Sequence, residues 1–278
     1  MKNAKTSGKS ATRPTTAGKK FPVLFVGAGP GDPELITVKG QRALAAADRV
    51  VYAGSLVPEA VLKWASEGSR KVSSAGLHLD EIVAEMAAGY RSGERVVRLH
   101  TGDPSLYGAI FEQMAALEGQ QIPCQVIPGV TAAFAAAASL GLEYTLPEVT
   151  QSLILTRMAG RTPVPEKEHL ESLAAHGASM AIYLSVGLLA DVQQVLQRTY
   201  GPEAACAVVF RASQPDQKVV RTTIADLKAA VEQAGITRQA VILVGPALDI
   251  RLGRGAAGPG AVSKLYDPAF SHGYRRGK

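Results

Sequence analysis

Two glycine-rich segments each combine glycine with a carboxylate directly after an apolar run. Residues 27–32 read GAGPGD after FPVLFV, and residues 101–103 read TGD after RVVRLH. Glycine lets a ligand approach the backbone closely, and a carboxylate accepts hydrogen bonds from a ligand's ammonium or hydroxyl group. Each segment stands where a predicted strand runs into a predicted helix, which is where open α/β sheets bind ligands. Both segments are therefore candidate ligand loops.

Each loop also has a purely structural interpretation. Asp32 and Asp103 are both followed by proline, and this pair is typical of a helix N-cap and first helical residue. The first loop does not fit the dinucleotide fingerprint, because the last glycine of a G-x-G-x-x-G motif starting at Gly27 would fall on Asp32. This spacing argues against a nicotinamide-dependent oxidoreductase.

A third segment, residues 127–141, reads IPGVTAAFAAAASLG. Its small residues allow a helix to pack closely, and the Thr131 hydroxyl is a candidate ligand contact. Cys124 and Cys206 lie in apolar, strand-like runs with no CxxC or Cys/His spacing, which predicts buried thiols in a reducing cytoplasm. The five histidines show no ligand spacing either, so we expect no metal site.

The positive charge is concentrated at the two ends of the chain. The net charge is +6, but residues 1–20 hold six Lys or Arg and no acid, and residues 251–278 hold six Lys or Arg and one Asp. Residues 21–250 therefore carry 18 basic and 23 acidic side chains. Nucleic-acid binding requires a basic folded surface, so this distribution argues against it. Apolar runs are also too short to cross a membrane.

The elements that must hold these loops alternate along the chain. In the first half, strand-like runs are separated by 10 to 15 residue helical patterns, which predicts a mostly parallel sheet. In the second half, ACAVVFR and QKVVRTT are joined by ASQPD and predict a hairpin, hence a mixed sheet. We predict two α/β domains. Their expected limits are a disordered basic tail at 1–20, an N-terminal domain at 21–143, a C-terminal domain at 144–250 and a Gly-rich extension at 251–278.

The joint order of these motifs resembles the tetrapyrrole methyltransferases that use S-adenosylmethionine. The matching motifs are VGAGPGDPELITVKG, VVYAGSLVP, HTGDPSLYG, IPGVTAAFAAAAS, YLSVGLL, VVFRASQPDQKV and SKLYDPAFSHGYR, which together span nearly the whole chain. Within the family, the resemblance is to the branch that methylates precorrin-4, or cobalt-precorrin-4, at ring carbon 11 in cobalamin biosynthesis. The uroporphyrinogen-III branch carries Asp where this chain has Ala53, and this difference favours the precorrin-4 branch.

The resemblance also implies a cofactor cleft between the two domains and indicates which residues bind ligands. The expected contacts with S-adenosylmethionine are Pro30, Thr101, Gly102, Asp103, Leu106, Thr131, Ala132, Leu184 and Ala212; relatives often carry Met at the position of Leu184. The first loop is expected to face the tetrapyrrole as well. Arginines near the motifs suit the substrate's acetate and propionate carboxylates, although each could instead form a surface ion pair. The expected substrate contacts are Gly29, Gly31, Asp32, Ser55, Arg98, Arg157 and Arg211.

The expected function is therefore methyl transfer to a carbon of an anionic tetrapyrrole by a homodimer, with no catalytic base assigned. Three alternatives remain open at this point: a uroporphyrinogen-III or other tetrapyrrole methyltransferase, a nicotinamide-dependent oxidoreductase and a non-catalytic tetrapyrrole carrier. A carrier would not need the cofactor motifs.

Overall fold

The computed structural model describes residues 20–255 and 263–277 and contains two five-stranded sheets. The first sheet has the order β3-β2-β4-β1-β5 with every neighbouring pair parallel. Its two central strands, β1 and β4, are almost entirely buried, as expected for a sheet covered on both faces. The strands are β1 (Val23–Gly27), β2 (Arg49–Tyr52), β3 (Arg70–Ser73), β4 (Val96–His100) and β5 (Cys124–Ile127).

Helices cover both faces of this first sheet, and two of them begin later than their sequence patterns predict. They are α1 (Val38–Ala46), α2 (Leu79–Arg91) and α3 (Ile110–Glu118). Asp32 caps only a short 3-10 helix, Pro33–Leu35, and α1 begins after Thr37, whose hydroxyl accepts the Gly40 N–H. Tyr107 and Ala109 have φ of 56° and 50°, and these left-handed residues delay the start of α3. A 3-10 helix, Glu59–Trp64, lies between β2 and β3.

The second sheet has the order β6-β7-β10-β8-β9 and is mixed, because only β6 and β7 pair in parallel. The predicted hairpin is the antiparallel pair β8 and β9. The strands are β6 (Leu153–Arg157), β7 (Ser179–Tyr183), β8 (Ala205–Phe210), β9 (Lys218–Thr223) and β10 (Ala240–Val244). The accompanying helices are α4 (Ala132–Leu140), α5 (Leu170–Ala174), α6 (Leu189–Tyr200), α7 (Leu227–Gln233) and α8 (Pro246–Arg251). The predicted fold class, with one parallel and one mixed sheet in an α/β chain, is confirmed.

Helix α4 packs against the second sheet although it comes before the expected domain boundary. Its alanines share a buried cluster with Ala181, Ala207 and Leu243 of that sheet. Small side chains let the helix approach the strands closely. The domain limits of the sequence analysis stay predictions; residues 1–19 and 256–262, which contain most of the expected tail and part of the extension, lie outside the described residues.

The two cysteines are both unpaired thiols. Cys206 is fully buried and Cys124 is only half-buried; burial raises the pKa of Cys206 to about 12 and that of Cys124 to about 11. Among the described residues, no cluster of three or more His, Cys, Asp or Glu side chains could hold a metal ion. No helix in the same part of the chain has the length and hydropathy of a membrane span.

Candidate functional site

Three glycine-containing loops meet at the carboxyl ends of β1, β4 and β5. Gly29 and Gly102 exchange backbone hydrogen bonds of 3.2 and 2.8 Å, and Ala28 donates to the His100 carbonyl at 2.7 Å. A Cβ atom added at Gly129 would lie 2.2 Å from the Gly102 carbonyl oxygen, and one added at Gly27 would lie 2.6 Å from the same atom. Only glycine permits this approach, so the three loops form one continuous surface, which we call the glycine platform (residues 27–32, 101–103 and 128–131).

The Asp103 carboxylate ties two of these loops together. Its Oδ1 accepts the Ser105 N–H at 2.8 Å, as a turn cap does, while its Oδ2 accepts the Gly129 N–H at 2.8 Å. Asp103 can therefore cap the turn and also act in the site, because a different carboxylate oxygen makes each of the two contacts. Each carboxylate oxygen has a second lone pair and can still accept a hydrogen bond from a ligand.

The second sheet contributes through Tyr183, the last residue of β7. Its hydroxyl bonds to Thr131 Oγ1 at 2.6 Å and accepts the Ala133 N–H at 2.8 Å. Tyr183 thus caps α4 from another element, since Thr131 makes no side-chain cap of its own. The next residue, Leu184, has φ of 53° and is 69% exposed, so an apolar side chain is held in the open beside the third loop.

A loop after β8 contacts the first loop of the platform. Ser213 Oγ accepts the Asp32 N–H at 3.0 Å, and Gln214 Nε2 donates to the Pro30 carbonyl at 3.3 Å. Gly31 lies directly against the Gln214 side chain. These contacts place Ala212, which immediately precedes Ser213, near Pro30.

All nine residues predicted to contact the cofactor follow the carboxyl end of a strand. Pro30 follows β1; Thr101, Gly102, Asp103 and Leu106 follow β4; Thr131 and Ala132 follow β5; Leu184 follows β7; and Ala212 follows β8. The contacts of Asp103, Tyr183 and the loop after β8 link these five strand ends into one region. The structure therefore brings together residues that are up to 182 positions apart in the sequence.

The residues predicted to contact the substrate occupy more varied positions. Gly29, Gly31 and Asp32 are in the platform; Ser55 follows β2 and its carbonyl accepts from Gln239; Arg98 lies inside β4; Arg157 ends β6; and Arg211 follows β8. Arg157 donates to the carbonyls of Met158, Thr162 and Pro163, and Arg211 forms an ion pair with Asp216 at 2.5 Å.

Arg98 differs from the other two because it is buried in the wall of a cavity. The cavity measures about 310 Å³ and is also lined by Ala53, His100, Thr101 and Leu106. Burial lowers the pKa of Arg98 to about 10, so the guanidinium stays charged at neutral pH. Burial, with a smaller effect of the Arg98 charge, lowers the pKa of His100 to about 3, so the imidazole is neutral.

The sequence patterns do not identify three residues of this region, which are Tyr183, Gln214 and His100. Tyr183 and Gln214 contact loop residues 52 and 184 positions away, and no local spacing indicates such a contact. His100 directly precedes the TGD motif, and that adjacency was the only available signal.

Comparisons with known proteins agree with this geometry. Residues 22–228 match the family model of the Tetrapyrrole (Corrin/Porphyrin) Methylases. The precorrin-4 C(11)-methyltransferase of Pseudomonas aeruginosa is 49% identical over 256 residues, which cover 92% of this chain and 99% of that protein.

Two solved structures are also similar. The X-ray structure of a cobalt precorrin-4 methyltransferase of cobalamin biosynthesis superposes with a TM-score of 0.80 at 46% identity, covering 82% of this chain and 95% of that one. A uroporphyrin-III C-methyltransferase from Thermus thermophilus, complexed with S-adenosyl homocysteine, gives a TM-score of 0.68 at 27% identity and covers 88% of this chain and 99% of its own.

Proposed function

The chain belongs to the tetrapyrrole methylase family, and from that membership we propose that it methylates ring carbon 11 of precorrin-4 or cobalt-precorrin-4 in cobalamin biosynthesis. The methyl donor is S-adenosylmethionine. The observation that carries the proposal is the convergence of the family's motifs, from both sheets, on the strand ends around the glycine platform. The carrier and oxidoreductase alternatives do not account for this convergence.

The backbone of the platform is half-buried and uncrowded at Gly102. A Cβ built on Gly102, whose φ is 61°, would meet Thr131 Cα at 3.8 Å and the Val130 carbonyl oxygen at 4.0 Å, which are ordinary van der Waals contacts. Tyr183 connects this region to two more of the predicted contacts. Its hydroxyl bonds to Thr131, and the next residue in the chain is the exposed Leu184. We propose that the nine residues named from the motifs bind S-adenosylmethionine here.

S-adenosylmethionine supplies a methyl group that is bonded to a positively charged sulfur. A nucleophilic ring carbon attacks this methyl group and displaces the sulfur. The task of the protein is to hold the two reactants in line, and such orientation accounts for a large part of the rate in reactions of this kind. The linked loops suit that task, because the contacts of Asp103, Tyr183 and Ser213 fix their backbones relative to one another. No protein group needs to create the nucleophile, and we assign no catalytic base.

The choice between substrates can be tested by the product. With a labelled methyl donor, we expect mass spectrometry to show one methyl added to precorrin-4 or its cobalt complex and little added to uroporphyrinogen-III. The reason is Ala53, where a carboxylate that could accept hydrogen bonds from pyrrole nitrogens is replaced by a methyl group; loss of a polar partner can change discrimination by orders of magnitude. Equal or better methylation of uroporphyrinogen-III would contradict the substrate assignment and leave the family intact.

Leu184 offers a test of the cofactor site. A leucine in the left-handed region costs about 1 kcal/mol, so Leu184→Gly is expected to raise the free energy of unfolding by about that amount. The same change removes an exposed apolar surface, so we expect S-adenosylhomocysteine to bind several-fold more weakly by calorimetry.

Gln121→Gly is the matched control for Leu184→Gly. Gln121 has a similar φ of 60° and is exposed after α3. It should gain comparable stability with no change in cofactor affinity. Equal affinity in the two variants would remove Leu184 from the site.

We further propose that the protein is a cytoplasmic homodimer. Both thiols are free, as in proteins of a reducing compartment. Phe111 is 83% exposed and Val38 62%, and burial against another copy would remove these apolar side chains from water. Light scattering measures the oligomeric state directly.

A further inference from the structure

The cavity beside β4 contains a buried charge for which residues 20–255 and 263–277 provide no counter-charge. Arg98 is 4% exposed, and its guanidinium donates to Gln113 Oε1 at 3.0 Å, Ser74 Oγ at 2.9 Å and the Val51 carbonyl at 3.4 Å, which are all neutral acceptors. Among the described residues, no carboxylate forms an ion pair with it. Glu112 also lines the cavity, but it is exposed and makes no such pair.

Arg49 shows how this fold treats a buried arginine that has only a structural role. It is 6% exposed and is paired with Glu85 at 2.9 Å and Glu94 at 2.6 Å. A buried charge normally requires such partners, because removal from water costs several kcal/mol per ion. Arg98 has no such partner among the described residues, so its charge remains available to pair with a bound anion.

A second unsatisfied group lies beside it. His100 is 4% exposed, and its Nε2 atom has no hydrogen-bond partner in the described part of the chain, although buried polar atoms almost always have one. The ring stacks on Phe25 with centroids 5.9 Å apart, which fixes its plane. Because alternate residues of a strand face the same side of a sheet, Arg98 and His100 both face the cavity.

We infer that Arg98 and His100 together bind one carboxylate side chain of the tetrapyrrole. The guanidinium supplies the charge, and the neutral imidazole supplies a hydrogen bond from Nε2, so one anion satisfies both groups. Arg211, which is paired with Asp216, and Arg157, which binds carbonyls of its own loop, have less capacity left for this role. The inference rests on the proposed function, since it takes the ligand to be an anionic tetrapyrrole.

A carboxylate added to the protein itself should compete for this site. Val51 pairs with Arg98 in the sheet, so Ala53, two residues further along, stands beside His100 and lines the same cavity. In Ala53→Asp, we expect the KM for precorrin-4 to rise roughly tenfold, equivalent to about 1.4 kcal/mol, with the KM for S-adenosylmethionine unchanged. Ala53→Asn has the same size without the charge and should change the first KM by only a few-fold. Equal effects of Asp and Asn would contradict the inference, as would no effect of Asp.

His100→Phe separates binding from packing. Phenylalanine keeps a ring against Phe25 and removes the unsatisfied nitrogen, so the melting temperature should stay the same or rise. We expect the KM for precorrin-4 to rise several-fold while the KM for S-adenosylmethionine does not change. A more stable protein with an unchanged KM for the tetrapyrrole would show that His100 only packs, and would overturn the inference.

His100→Phe also distinguishes this inference from the proposed function. If the unmodified protein binds S-adenosylhomocysteine but does not methylate precorrin-4, the substrate assignment is wrong. The affinity of His100→Phe for uroporphyrinogen-III, another polycarboxylate tetrapyrrole, then tests the carboxylate site independently. Weaker binding by His100→Phe than by the unmodified protein supports the site, and equal binding overturns it.

Discussion

Gly129→Ala is expected to destabilise the protein by about 3 kcal/mol and to abolish measurable cofactor binding. The added Cβ would lie 2.2 Å from the Gly102 carbonyl oxygen and 2.8 Å from the Gly27 Cα. Both are backbone atoms, so no side-chain rotation relieves the clash, and overpacking of this kind costs about 1 to 3 kcal/mol or more. The three loops of the platform must separate. Urea unfolding measures the stability, and calorimetry with S-adenosylhomocysteine measures the binding.

Gly68→Ala is the control, because Gly68 is not in close contact with another backbone segment. A Cβ at Gly68 would meet nothing within 4 Å, and its φ is not in the left-handed region. We expect the stability to stay the same or rise by a few tenths of a kcal/mol, because alanine restricts the unfolded chain. If Gly129→Ala behaves like Gly68→Ala, the platform is not held by glycine contacts, and the description of the site must change.

Much of the site was predictable because parallel strands bring their carboxyl ends to the same edge of a sheet. The motifs at Pro30, Asp103 and Thr131 each follow an apolar run, so alternation of strands and helices was enough to predict that they meet. The two kinds of sheet were predictable for a similar reason, since long helical crossovers favour parallel pairing and a short Pro-Asp turn favours a hairpin.

What the sequence could not reveal depends on contacts between distant segments. The Tyr183 hydroxyl caps α4 from 50 positions away, and the Asp103 carboxylate reaches 26 positions to Gly129. The left-handed residues Tyr107 and Ala109 shorten α3 although their neighbours have a helical pattern, and both line the cavity. That Arg98 has no counter-charge among the described residues is likewise visible only once the surrounding side chains are placed.

The carboxylates of Asp32 and Asp103 differ in how far along the chain their hydrogen-bond partners lie. In both Asp32 and Asp103, Oδ1 accepts the N–H of the residue two positions later, but of the two carboxylates only that of Asp103 contacts another described loop, through Oδ2 and the Gly129 N–H. Asp103→Ala should therefore weaken S-adenosylhomocysteine binding by about 1.5 to 3 kcal/mol in calorimetry, as expected for lost charged hydrogen bonds.

Asp32→Ala loses only the local bond and should leave the affinity for S-adenosylhomocysteine within about twofold of the unmodified protein, since a solvent-exposed turn bond contributes little to a distant contact. Asp103→Asn keeps one carbonyl oxygen as acceptor and should fall between Asp103→Ala and the unmodified protein. Equal affinities of the Asp32 and Asp103 alanine variants, both folded, would mean that the bond to Gly129 does not organise the site. A loss confined to Asp103 would show that cofactor binding depends on a carboxylate whose partners are supplied by two different loops.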